Sequence, residues 1–376
     1  MAIQKSNDTL DMLISATVQF CEKKISPIAD KIDRDDTIPE TLYSEMRDQG
    51  MLSLILPQRY GGLGLTYSSY IHVLEIVSKY SAGVALSLEA HNSLGLEHIA
   101  KYGSEELKEN VIPEIIASAK PVAWALTEPR GGSDAKRMST TALAKQDGYI
   151  LNGSKTFITH GFSADKIVVM AKTNDSISAF VVDADSEGVE RTKLQGKMGT
   201  RGSDTAEIHF NDVFIPKDRL LGREGEGFEQ AMELLHGGRI AVGAMAVGMA
   251  EACIDASIMY SKQREAFGSK ISRFQAIRFY LADLSTELEA AKLLVEKAAN
   301  LRDNGLPHRK EAAMAKYYAS QVAMKAARTA IQIHGGYGFF SGSIVERMYR
   351  DAKLLEIGEG TNEVLKLIIS SEILRD

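Results

Sequence analysis

The chain has 376 residues, 44% of them apolar and 25% charged, which is length for two or three domains and apolar content for a sizeable core. Its net charge of -6, and the lack of any Lys/Arg block long enough to follow a phosphate backbone, argue against nucleic acid as the main partner. Cys21 and Cys253 are too few and too far apart for a disulfide framework or a thiolate metal site, and the eight histidines contain no His-x-x-x-His pair, so no metal centre is expected.

The opening residues carry Asp8 and Asp11, lack arginine and have no basic stretch leading into a continuous apolar run, unlike a transit peptide or a secretory signal. Nowhere do about 18 apolar residues run uninterrupted, so a cytoplasmic chain without membrane association is expected. From residue 8 to about 120 the pattern is helical: Leu13, Ala16, Val18 and Phe20 open one helix, and residues 68–86 form another. From about 121 the period falls to two, with Ile177, Ala179 and Val181 and again Ala206, Ile208 and Phe210 predicting half-buried strands. Asp147-Gly148, Asn152-Gly153 and Asn211-Asp212 predict turns between them. After Gly225 and Gly227 the helical period returns, as in Phe274, Ile277, Leu281, Leu284 and Leu288 along one face. Helices over 228–265, 273–303, 309–333 and 363–374 then predict an antiparallel four-helix bundle. The expected fold is mostly α with a central β domain: helical 1–120, β 121–227 and a helical bundle 228–376.

Four runs carry chemistry. Trp124, Leu126, Thr127, Gly132 and Ser133 stand at the entrance to the β module, where glycines let backbone amides approach a ligand and short hydroxyls meet ring or phosphate oxygens. Lys155 to Gly161 reads as a strand end, with Phe157 able to lie against a flat ring and Thr159 to bond its edge. Gln332, Gly335 and Gly336 close an Ala-rich helix, and paired glycines permit close contact with a diphosphate. Last, Glu359 sits between Gly358 and Gly360 in a break between helices, where the backbone can project a carboxylate into a cavity, and Thr361 or Asn362 can cap the next helix. Taken singly, each run has a plain structural explanation: a turn, core packing, a C-cap, a solvated glutamate.

In this order and across nearly the whole chain, the four runs resemble the acyl-CoA dehydrogenase family. The resemblance implies an N-terminal helical domain, a middle β-barrel domain and a C-terminal four-helix bundle. It implies FAD as cofactor and α,β-dehydrogenation of an acyl-CoA to the trans-2-enoyl-CoA, with Glu359 abstracting the α proton. Trp124, Leu126, Thr127, Gly132 and Ser133 would line the flavin and its phosphates, and Phe157 and Thr159 would flank the isoalloxazine ring. Arg264, Phe267 and Gln275 would reach the FAD of a neighbouring subunit, and Gln332, Gly335 and Gly336 its adenosine diphosphate part; a homotetramer, a dimer of dimers, follows from that sharing. Thr361 and Glu363 are assigned to the cofactor as well, and Ser133, Arg239, Gly358 and Gly360 to the substrate. Electrons would pass to an electron-transfer flavoprotein.

Some family members place the base immediately before an arginine equivalent to Arg239; that position is Gly238 here, which leaves Glu359. Gly358 stands where the family often has tyrosine packed beside the thioester, and could admit a wider acyl group; Phe157 stands where the family usually has tryptophan. Two rivals share the fold: an acyl-CoA oxidase passing electrons to oxygen, and a scaffold protein that has lost turnover.

Overall fold

The computed structural model describes residues 2–375. Its N-terminal part is helical: α1 (Ala2–Phe20), α2 (Ala29–Asp35), α3 (Glu40–Asp48), α4 (Tyr67–Tyr80), α5 (Ala82–Glu89), α6 (Glu97–Tyr102) and α7 (Glu105–Ser118). The single helix expected over 68–86 is two. Ser81 adopts an extended backbone between α4 and α5, and its hydroxyl accepts from Val84 N, so a serine that fits an N-cap outweighs the continuous apolar run.

The middle part holds β1 (Ala123–Ala125), β2 (Thr141–Ala144), β3 (Gly148–Thr159), β4 (Lys166–Thr173), β5 (Ser176–Asp183), β6 (Val189–Lys193), β7 (Thr205–Pro216) and β8 (Leu220–Leu221). They form one sheet in the order β6-β7-β3-β2-β4-β5-β8, with β1 parallel on β4. The strands wrap a core that includes Tyr149, Leu151, Val169, Phe180 and Phe210. Two of the expected turns are not turns. Asn152-Gly153 lies inside β3 at a register shift, and Asn211-Asp212 lies opposite it inside β7; Asn152 and Asp212 hydrogen-bond each other across the bulge. The expectation of half-buried strands holds for β7 but not for β5, which is buried on both faces from Ile177 to Val182. Phe180 and Val182 face the sheet's own core, whereas Ile177, Ala179 and Val181 pack with Leu107 and Val111 of α7 and with residues further along the chain. The helical domain thus covers a face that an isolated sheet would leave wet.

Then come α8 (Gly227–Gln263), a small hairpin of β9 (Glu265–Ala266) and β10 (Ser269–Lys270), α9 (Gln275–Asp303), α10 (Arg309–His334), a single turn α11 (Gly336–Phe339), α12 (Ile344–Leu355) and α13 (Asn362–Ile373). Helix α12 was not among the expected helices. Its apolar residues Val345, Met348, Ala352 and Leu355 are buried with i, i+3, i+4 spacing, but three of its twelve residues are Arg or Lys, which masks the stripe. Helix α8 is long and apolar enough to span a bilayer, yet it is mostly buried inside the molecule, packed against α4, α9 and α10.

Candidate active site

The turn that follows α12 carries Glu359. Ile357 N and Gly358 N both bond back to Leu354 O, and Asn362 N bonds to Glu356 O, closing a tight loop. Inside it Glu359 has φ +55° and Gly360 φ +103°. Glycine accepts that conformation freely, but for Glu359 it costs about 1–2 kcal/mol, so neighbouring contacts must hold it. Arg239 Nε of α8 donates to Glu359 O at 3.1 Å, and Lys316 Nζ of α10 donates to Gly360 O at 2.5 Å. Thr361 caps α13, its hydroxyl accepting from Val364 N, which leaves the carboxylate of Glu363 exposed and away from the turn's interior.

The Glu359 carboxyl points at α8. Its Oε2 is buried without a hydrogen-bond partner, and a Cβ placed on Gly238 would lie 2.1 Å from that atom. Gly238 is therefore more than the absence of an alternative base: it is the space that the carboxylate occupies. From α5 the buried Glu89 faces Glu359 at hydrogen-bonding range, and its own carboxyl accepts from Ser93 Oγ at 2.7 Å. Burial raises the proton affinity of both carboxyls. At Glu89 the negative charge of Glu359 and a hydrogen bond to it add to burial and drive the value well above the carboxylate range. At Glu359 that hydrogen bond and the cations Lys316 and Arg239 oppose burial, leaving a raised value. Glu89 was not singled out in the sequence. Its one signal is a carboxylate inside the apolar run from Ala82 to Leu96.

The expected flavin residues lie in two places. In the first, β3 ends with Phe157 at a bulge, φ +57° and 71% exposed, so it is not core packing. The end of that strand is docked on α5: His160 Nε2 bonds Ser87 O at 3.1 Å, two residues from Glu89. Phe157 and Thr159 are thereby tied to the helix that carries the partner of the base. Beside them the 126–133 loop is braced by a fully buried ion pair. Lys155 Nζ reaches Glu128 Oε1 at 2.9 Å and Leu126 O at 3.1 Å, and Glu128 accepts from Ser139 and Thr140. Gly132 and Ser133 are exposed and Thr127 half-buried, open to a ligand. The side chains of Leu126 and Trp124 point elsewhere. Leu126 is buried in the core, and Trp124 Nε1 donates to His98 Nδ1 at 3.0 Å, whose Nε2 in turn donates to Gln230 Oε1 at 3.0 Å. Burial keeps His98 neutral, at about 4. Of these two residues the main chain remains available.

In the second place, a cavity of about 490 Å³ is lined by Tyr260, Arg264, His334, Gly335, Gly336 and Tyr337 among others. Gly335 has φ +59°, and nothing lies within 4 Å of a Cβ built on it or on Gly336. Tyr260 stacks on His334 with centroids 4.3 Å apart. Gln332 and Gln275 are exposed nearby on α10 and α9, and Phe267 at the hairpin tip is 98% exposed. Open glycine backbone, an arginine and stacked rings fit a flavin dinucleotide. The two places are separate within one chain. Among the described residues no His/Cys/Asp/Glu cluster could hold a metal ion.

Three family models match the chain: "Acyl-CoA dehydrogenase, N-terminal domain" over residues 7–119, "middle domain" over 123–213 and "C-terminal domain" over 225–374. The chain is 43% identical over 360 residues to an acyl-CoA dehydrogenase of Bacillus subtilis, covering 94% of this chain and 95% of that one. It is 42% identical over 362 residues to the caffeyl-CoA reductase-Etf complex subunit CarC of Acetobacterium woodii, covering 95% and 96%. The solved structure of butyryl-CoA dehydrogenase from Megasphaera elsdenii superposes with a TM-score of 0.95 at 40% identity, covering 98% of each chain.

Proposed function

Because the chain belongs to the acyl-CoA dehydrogenase family of FAD-dependent oxidoreductases, we propose that it interconverts an acyl-CoA and its trans-2-enoyl-CoA, with Glu359 as the base at the α carbon. The observation that carries this reading is the unpartnered Oε2 of Glu359, buried against Gly238 in a turn that two cations hold. A partly desolvated carboxylate binds a proton more tightly than one in water, which suits removal of a carbon-bound proton near neutral pH. The backbone N–H of the same turn supports the thioester carbonyl, as donors do wherever charge develops on oxygen. The bound FAD supplies the hydride acceptor. Phe157, Thr159 and the 126–133 loop hold its ring system, and Arg264, Gln332, Gly335 and Gly336 hold its diphosphate end on a second subunit, so we propose a homotetramer in which each site is completed by a neighbour.

Glu359→Gln keeps the shape of the side chain and removes the base. The variant is expected to retain flavin absorbance and assembly while losing at least about 10²-fold in turnover; near-native turnover would remove Glu359 from its role. Anaerobic bleaching of the flavin by acyl-CoAs of graded length, branched and aromatic ones included, identifies the substrate. Gly358, whose Cβ position touches only Leu354 at ordinary distance, supports an acyl group wider than a straight chain.

A second reading concerns direction. The Acetobacterium relative is named as a subunit of a caffeyl-CoA reductase-Etf complex; in a reductase the same glutamate would deliver the α proton. We propose an electron-transfer flavoprotein as electron partner in either direction. Stopped-flow mixing of the reduced enzyme with enoyl-CoA, beside the oxidised enzyme with acyl-CoA, separates the two directions by their relative rates.

A further inference from the structure

Helix α10 meets the Glu359 turn and the start of α13 at two points. Lys316 and Ser320, one helical turn apart and both fully buried, share a face of α10. Lys316 Nζ donates to Gly360 O at 2.5 Å, and Ser320 Oγ donates to Asn362 Oδ1 at 3.2 Å. A buried ammonium is costly unless its charge is compensated, yet its one hydrogen-bond acceptor here is a neutral carbonyl. The carboxylates that face it are Glu359 on the turn and, flanking the turn, Glu356 and Glu363; Arg239 of α8 is the opposing cation. Around Glu359 itself stand Lys316 from α10, Arg239 from α8, Glu89 from α5 and the Tyr67 phenol from α4.

We propose that Lys316 is a positioning residue for the base: its ammonium fixes the Gly360 carbonyl, and with it the aim of Glu359, and its positive charge offsets the negative charge that the base carries when ready to take a proton. Three observations support this. Glu359 has a positive φ that a residue with a side chain adopts only at a cost, so it needs an external hold; Arg239 secures only the carbonyl of Glu359; and the Lys316 contact is placed one residue further on, so the two cations pin consecutive carbonyls. Burial lowers Lys316 to about 8, and Glu359 is the foremost group opposing that fall. The inference rests on Glu359 being the base.

The test compares holoenzymes of the native chain, Lys316→Met, Lys316→Arg, Ser320→Ala and Glu359→Gln. Two quantities are read: the pH profile of anaerobic flavin bleaching by the best acyl-CoA, and deuterium uptake at the amides of residues 356–362, which does not depend on turnover. Lys316→Met is expected to keep its flavin, bleach about tenfold more slowly and move the acid limb of the profile up by about one pH unit, since each unit corresponds to about 1.4 kcal/mol of lost charge stabilisation. Its turn amides exchange faster. Lys316→Arg keeps the charge and brings the acid limb back to the native position; Ser320→Ala loosens the turn without moving the limb. A flavin-loaded Lys316→Met with native rate and native limb overturns the proposal. If Lys316→Met does not fold, Lys316→Arg decides, and a limb displaced despite the retained charge overturns it. Native bleaching by Glu359→Gln would instead sink the assignment of the base, whereas slow bleaching there beside native behaviour of Lys316→Met sinks only the role of Lys316.

Discussion

Gly238 of α8 meets Glu359 of the turn after α12, and the contact predicts a variant whose cost falls on chemistry rather than folding. In Gly238→Ala the new methyl would lie 2.1 Å from Glu359 Oε2, the free end of a flexible side chain. The carboxylate can rotate away, so flavin content and thermal stability should stay close to native. A displacement of about 1 Å at a reacting group costs on the order of 10²-fold, and steady-state turnover of the loaded variant reads that loss. Glu89 makes a second prediction. Because its contact lowers the proton affinity of Glu359, removing Glu89 leaves the Glu359 carboxylate less supported and its proton affinity higher. Rate is lost as pH falls through the base's value, so Glu89→Ala should shift the acid limb to higher pH, while Glu89→Gln, which keeps a donor, should leave it near the native position. An unmoved limb in Glu89→Ala would show that Glu89 does not lower the proton affinity of Glu359. Glu359 could be found in the sequence because glycines flank it in a break between helices. Glu89 could not, because it meets Glu359 only when the N-terminal helices fold against the bundle 270 residues later in the chain.

Among the elements, β3 braces the 126–133 loop through Lys155, which is wholly buried with Glu128. The partners respond unequally. Burial prevails at Lys155 and lowers it to about 8, whereas at Glu128 the attraction of Lys155 and the hydrogen bonds from Thr140 and Ser139 overcome burial and hold the carboxyl at about 2. A depressed carboxylate stabilises the fold fully above its ordinary value near 4.5, and that contribution disappears as pH falls toward about 2. Lys155→Met leaves a buried carboxylate uncompensated and should cost about 3–5 kcal/mol, read in urea melts, together with weaker flavin retention because Leu126 O loses its donor. Period-two alternation marked β7 correctly, but β5 deceived it, since a strand covered on both faces alternates only by accident. Asn-Gly and Asn-Asp suggested turns, and they serve instead as a bulge in two paired twelve-residue strands, because local turn chemistry carries no information about a partner strand.

At the scale of the molecule, the order of helical, β and helical parts was readable from the change in period, while the contacts that join them were not. Arg350 binds Asp33 bidentately, Thr200 N bonds Asp351 Oδ1, and a Cβ on Gly83 would collide with Arg201 O, so the β part is wedged between the N-terminal helices and α12. The two flavin-fitting places stay apart within a single chain, with Phe267 at a hairpin tip almost wholly exposed. If neighbouring subunits unite them, Arg264→Ala should fold normally yet purify with much less bound flavin, and dilution below the assembly threshold should release flavin from the native protein. Flavin fluorescence against protein concentration measures both. Retention independent of concentration would mean that one chain suffices.

Helix α8 has a bearing on biosynthesis. It is an apolar rod of 37 residues whose burial needs α4, made long before it, and α10, completed about 70 residues after it. While the ribosome is still translating α9 and α10, one side of that rod faces water, and exposed apolar surface of this kind favours aggregation. A nascent chain halted near residue 263 should therefore require a chaperone to remain in solution, and one extended through residue 334 should need it far less.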